Sequence, residues 1–108
     1  MTVFLSIASY SDPALGFTLA RALATARHPD ALHFAVVDQS PASWPRLTAP
    51  MVAPARLDYL RVDPVDARGP CWARAIAMSY YDGQDWFLQI DSHMDFDLHW
   101  DERLIAQA

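Results

Sequence analysis

The sequence predicts an α/β fold, a mainly parallel sheet with flanking helices, on three observations. Almost continuously apolar runs at residues 3–10, 32–38 and 85–91 have the length and composition of strands covered on both faces. Between two of them lies a segment with Leu15, Leu19 and Leu23 at four-residue spacing, one stripe of a helix. Strands and helices alternating in this way imply an open sheet wound right-handedly, and 108 residues suffice for one domain.

Taken in order, residues 3–10 form the first strand. Asp12-Pro13 reads as an N-cap followed by the proline favoured at the first helical position, opening a helix that runs to about Arg27. His28-Pro29-Asp30 stops it, because the residue before a proline is pushed out of helical geometry, and Leu32 to Asp38 is the second strand. Pro41, Pro45, Pro50 and Pro54, with no sustained period, predict an irregular surface excursion from Gln39 to Arg56. Leu57 to Val62 is the third strand. Pro70 starts a second helix with Trp72, Ile76 and Tyr80 along one face, Asp82-Gly83 closes it, and Asp85 to Asp91 is the fourth strand.

Composition narrows the function. At 53% hydrophobic residues the chain can build a core, and 8 basic against 13 acidic residues give a net charge of −5, with no cationic surface suited to nucleic acid. No run is long enough to span a membrane and the first residues do not read as a signal peptide, so the expected location is cytoplasmic, with no membrane partner. A single cysteine, Cys71, fits a reducing compartment.

In open sheets ligands sit beyond the carboxyl ends of the strands, where strand order reverses. That places chemistry at Ala8 to Tyr10, near Asp38, and at Asp91 to His93. In an extended chain Asp91 and His93 project to the same side, so a carboxylate oxygen and an imidazole nitrogen can share one metal ion, with phosphate oxygens and water completing its shell. Upstream, Ala67 to Arg74 joins a glycine turn to a helix N-terminus carrying Arg68 and Arg74, a combination that favours a diphosphate. The plain alternatives are a solvated polar strand end and surface salt bridges. Asp95, Asp97, His99 and Asp101 lack the glycine and terminal glutamate of a calcium loop, so the tail from Asp91 to Glu102 is expected to be a solvated loop or strand. His28 and His33 lie away from these ends and are expected to be structural or exposed.

Three ordered blocks, Ser6-Ile7-Ala8-Ser9-Tyr10 with Asp12-Pro13, Arg68-Gly69-Pro70-Cys71-Trp72-Ala73-Arg74, and Leu88-Gln89-Ile90-Asp91-Ser92-His93-Met94, resemble the GT-A-type N-acetylglucosaminyltransferase family. The Asp-x-His motif is also similar to that of polypeptide N-acetylgalactosaminyltransferases. The resemblance implies a Rossmann-like GT-A fold, of which residues 1–108 would be the N-terminal nucleotide-binding portion with the acceptor half absent. It implies a metal-dependent transfer of N-acetylglucosamine from a UDP-sugar to an acceptor hydroxyl, with retention of configuration. It assigns Mn²⁺ or Mg²⁺ to Asp91 and His93, and the nucleotide-sugar to Ser9, Tyr10, Arg68, Arg74 and Asp91. Asp38 joins this set by position, as an acceptor for uracil or ribose. The chain departs from the family pattern at Ser11 and Asp95, where arginines are common, which removes two cations beside an anionic donor. No catalytic residue is assigned, and the acceptor, a protein or a glycan, stays open. A truncated GT-A domain that binds nucleotide or a partner protein without turnover, or a metal-dependent phosphohydrolase, would use the same residues. Half of a sheet-based fold leaves an edge to cover, so a homo-oligomer is expected.

Overall fold

A computed structural model describes residues 1–107. Four strands, β1 (Val3–Tyr10), β2 (Leu32–Gln39), β3 (Arg56–Val62) and β4 (Trp86–Ile90), form one sheet in the order β3-β2-β1-β4. Every pairing is parallel, with Val3 opposite Leu32 and Trp86, and Phe34 opposite Leu57. The central strands are those whose sequences are apolar without alternation; all eight residues of β2 are buried. The edge strands β3 and β4 are only half covered.

From β1 the chain steps outward to β2 and β3, then returns across the sheet to place β4 on the other side of β1. Right-handed crossovers therefore put the early and late helices on opposite faces. On one face Val3, Leu5 and Ile7 of β1 and Leu32, Phe34 and Val36 of β2 pack with Leu15, Leu19 and Ala22 of α1 (Leu15–Thr25). A single helical turn, α2 (Ala49–Val52), adds Val52 to this core, so the proline-rich excursion is not wholly irregular. On the other face Val37 packs with Ala73 and Ala77 of α3 (Pro70–Met78).

The buried positions of α3 are thus the small residues, while Trp72 and Ile76 pack beside them half-buried and Tyr80 lies beyond the helix. Alanine lets the helix axis approach the sheet closely, and the large side chains then lie along the flanks. The first helix begins at Leu15 rather than Pro13, because Asp12 makes a turn of its own: its Oδ1 accepts the Ala14 N–H at 2.9 Å.

The tail differs most from expectation. Residues 100–107 form α4 (Trp100–Gln107), which packs against the end of α1. The Trp100 indole N–H donates to the Ala22 carbonyl at 2.9 Å, and His99 N–H to the Thr25 carbonyl at 2.6 Å. Buried Asp101 accepts the Arg27 and His28 N–H groups at 2.8 and 3.0 Å. The Thr25 carbonyl is one that the helix end leaves without an intrahelical partner, whereas the Ala22 carbonyl also accepts the Ala26 N–H at 3.2 Å. Burial works to raise the Asp101 pKa, but the backbone N–H donors outweigh it and hold the carboxyl below its ordinary value. No helix is long and apolar enough to cross a membrane among the described residues.

Candidate functional site

The reversal of strand order falls between β1 and β4, and both chain ends there carry polar residues. The β1–β4 ladder closes at Ile7 opposite Ile90, so β1 continues three residues past it to Tyr10 while Asp91 leaves the sheet. A cavity of about 450 Å³ opens at the carboxyl ends of β1 and β2 on the α3 face, lined by Ala8, Tyr10 and Gln39 and, from the segment leading into α3, by Pro64, Ala67, Gly69 and Pro70. Gly69 sits at φ 89°, ψ 169°, a conformation that L side chains rarely adopt. A β-carbon there would meet no atom, so backbone conformation rather than crowding requires the glycine. It turns the chain so that α3 starts at Pro70 with its N-terminus on the cavity. Ser11, directly after Tyr10, is also left-handed at φ 45°, and its N–H is held by the Gln39 carbonyl at 2.8 Å.

The structure sorts the expected site residues into three groups. Tyr10 is 61% exposed at the cavity mouth. Arg68 and Arg74 flank the α3 N-terminus, exposed and without an ion pair among the described residues. Ser9 and Asp38 are one residue out of phase with Tyr10 and Gln39, so they face the α1 side and are buried. Asp38 accepts the Tyr59 hydroxyl at 2.5 Å and lines a separate cavity of about 390 Å³ with Asp12, Trp44 and Arg46. Burial and the neighbouring Asp38 push the Tyr59 phenol up to about 12. Gln39, beyond the expected end of its strand, takes the position on the Tyr10 side, and its Nε2 donates to the Ser9 carbonyl at 2.9 Å. Carrying strand alternation one residue past Asp38 would have found it.

Asp91 and His93 are both exposed beyond β4. The extended geometry expected for them is not what forms, since the chain bends at Ser92 and His93 toward α1. The Thr18 hydroxyl causes this: it donates to the Ser92 carbonyl at 2.7 Å and accepts the Met94 N–H at 2.9 Å. Ser92 is buried, and its hydroxyl donates to Asp12 Oδ2 at 2.6 Å; His93 Nδ1 lies 3.0 Å from the same oxygen. Burial pushes the Asp12 carboxyl up, but hydrogen bonds from Ser92, Ala14 and His93 outweigh it and keep the pKa below its ordinary value. Asp12, read from the sequence as a helix cap, is not the cap of α1, which is Ala14; it is instead the group that ties the Asp-x-His segment to the start of α1.

Among the described residues no three His, Cys, Asp or Glu side chains are grouped to hold a metal. A cation at this edge would have Asp91 and His93 as its protein ligands, an oxygen and a nitrogen both open to solvent, and would take its other ligands from phosphate and water. That donor set suits a cation carried on a diphosphate. In the tail, Asp95 pairs with Arg21 at 2.7 Å and Asp101 is used by backbone. His28 is exposed, whereas His33 is buried at the amino end of β2 between Asp58, 2.6 Å away, and Gln84.

No curated protein and no solved structure matches the chain. The family model described as Glycosyltransferase (GlcNAc) matches residues 46–108, a stretch that holds β3, β4, α3 and α4 and with them Arg68, Arg74, Asp91 and His93. That is more than half of the sequence, and the chain belongs to the Glycosyltransferase (GlcNAc) family.

Proposed function

We propose that this chain is the nucleotide-sugar-binding portion of a GT-A-type, metal-dependent glycosyltransferase that moves N-acetylglucosamine from UDP to an acceptor hydroxyl. The observation that supports the reading is the presence of three features along the carboxyl edge of the sheet. These are the cavity bordered by Tyr10 and Gln39, the α3 N-terminus that opens on it, and the exposed Asp91 and His93 that follow β4, the strand next to β1, with His93 held on the α1 side.

In this reading the Tyr10 ring borders or stacks on the uracil, and the Gln39 side-chain amide offers it a hydrogen-bonding group. The α3 N-terminus and the Arg68 and Arg74 guanidinium groups face the diphosphate, where unpaired cations favour anion binding. Asp91 and His93 hold Mn²⁺ or Mg²⁺. The chemistry such a cation supplies when bound is Lewis-acid stabilisation of the departing diphosphate. Ser9 and Asp38 form the buried back of the edge.

The test is thermal melting with UDP in the presence of Mn²⁺ and in EDTA. UDP at a hundredfold excess over its Kd is expected to stabilise the metal-loaded protein by about 2.7 kcal/mol, and much less in EDTA. Asp91→Asn is expected to remove most of the difference. Equal stabilisation with and without metal overturns the roles of Asp91 and His93. UDP-N-acetylglucosamine consumption then separates the chemical alternatives: transfer needs an acceptor, hydrolysis does not, and a binding module shows neither.

A further inference from the structure

One carboxylate joins the start of α1 to the end of β4. Asp12 Oδ1 accepts the Ala14 N–H at 2.9 Å, and Oδ2 accepts the Ser92 hydroxyl at 2.6 Å while lying 3.0 Å from His93 Nδ1. Both oxygens are fixed, and the side chain is 18% exposed, against 70% for His93. An ionised carboxylate can only accept hydrogen bonds. The imidazole nitrogen that faces it therefore carries the proton, and in the neutral ring the lone pair is left on Nε2. That nitrogen takes no hydrogen bond from the described residues.

We infer that Asp12 is a positioning residue for metal binding, which holds His93 as the Nδ1–H tautomer with Nε2 turned to the cation. The inference rests on the metal reading above. It gives the Asp-x-His segment the outer carboxylate that metal-ligating histidines commonly use to fix ring orientation and raise ligand basicity. Ser92 and Thr18 serve the same end by different bonds. Ser92 locks the carboxylate from the β4 side, and Thr18 locks the Ser92 carbonyl and the Met94 N–H from α1. The ring is thereby held while its far side stays in solvent. A plain surface ion pair is the competing account, and it holds only while the imidazole is protonated.

The experiment reads the tautomer and the metal separately. Long-range ¹H–¹⁵N correlation on the metal-free protein at about pH 8.5, where an ordinary histidine is neutral, reports which nitrogen carries the proton, with His93 identified through His93→Gln. The Nδ1–H form is expected to predominate. Asp12→Asn places an amide N–H against Nδ1 and keeps an oxygen for Ala14, so it is expected to shift His93 toward the Nε2–H form. It is also expected to weaken Mn²⁺ binding about tenfold or more in the presence of UDP, measured by the electron paramagnetic resonance of free Mn²⁺. Predominance of the Nε2–H form in the unaltered protein overturns the inference, and this measurement decides it even where Asp12→Asn does not fold. So does unchanged Mn²⁺ affinity in Asp12→Asn when His93→Gln weakens it. Mn²⁺ affinity indifferent to His93→Gln overturns the metal reading itself, and the inference falls with it.

Discussion

On the α1 face of the sheet, Val3, Leu5, Ile7, Leu32, Phe34 and Val36 close with α1, α2, Ile90 and Trp100 into one large buried cluster. On the α3 face the corresponding cluster has only Val37, Ala73 and Ala77 buried, with Ala8, Val62, Trp72 and Ile76 around them. The amino end of that face holds a separate aromatic group, Phe4 against His33, Tyr81 and Phe87, and its carboxyl end is the cavity with Tyr10. Apolar burial is the dominant favourable contribution to folding and scales with area, so cohesion is concentrated on the α1 face. The α3 face can then leave a ring and two guanidinium groups exposed without losing the fold. Division of this kind is expected where a site must keep polar groups unpaired for a ligand.

The comparison breaks most visibly at Phe34, which is fully buried on the α1 face. Phe34→Ala is expected to cost about 3–5 kcal/mol in urea unfolding; a cost below about 1 kcal/mol would mean that the cohesion lies elsewhere. On the opposite face, Arg74→Ala is expected to weaken UDP binding by roughly 1.5–3 kcal/mol while changing metal-free stability by only about 0.5 kcal/mol. Loss of stability with unaltered UDP affinity would make Arg74 a packing residue instead.

Asp101→Ala removes the acceptor of two part-buried N–H groups and is expected to cost about 1–2 kcal/mol. The same carboxylate gives a pH dependence. Its folded pKa is lowered from 3.8, so its contribution is present above that value and is lost as pH falls through the folded pKa. Acid melting curves should therefore steepen below the ordinary carboxylate range and be shallower in Asp101→Asn. Smallest is the Arg21–Asp95 pair, whose side chains are 40% and 62% exposed. Arg21→Ala is expected to change stability by less than about 1 kcal/mol, and less again in high salt.

The elements carried by long apolar runs were legible in the sequence: β1 runs over the expected residues, and β2 and β3 differ by a residue at one end. Hydrophobicity is a local signal, and buried parallel strands broadcast it strongly. The buried stripe of α3 was harder, because large side chains dominate a sequence pattern whereas close helix–sheet approach selects Ala73 and Ala77. The helix of the tail was missed because Trp100 to Gln107 is mostly polar and is held by long-range bonds to the end of α1. At the carboxyl edge, the sequence puts Tyr10, Arg68, Arg74 and Asp91 near strand or helix ends, but it does not show the bend that replaces extended chain at Ser92 and His93. The faces were not legible either: Asp38 and Gln39 are neighbours in the chain, yet only the packing of α1 and α3 decides which of them meets Tyr10. Asp12 shows the same limit, since its partners Ser92 and His93 are 80 and 81 residues away.

The closure of α4 on the end of α1 has a consequence for how the chain acquires its fold. Trp100 reaches Ala22 across 78 residues, and Asp101 reaches Arg27 and His28 across 74 and 73. The central strand β1 is likewise completed from far away, by β4, whose start is tied to the amino end through Thr2 and Asp85, 83 residues apart. Contacts of such separation slow the search for the native topology, because the loop must be closed before they contribute. During synthesis β1, α1 and β2 leave the ribosome before β4 and α4, with one edge of β1 unpaired and the Thr25 carbonyl open to water. Those groups find their partners only when residues 86–101 follow, so the centre of the sheet is sealed by segments made after it.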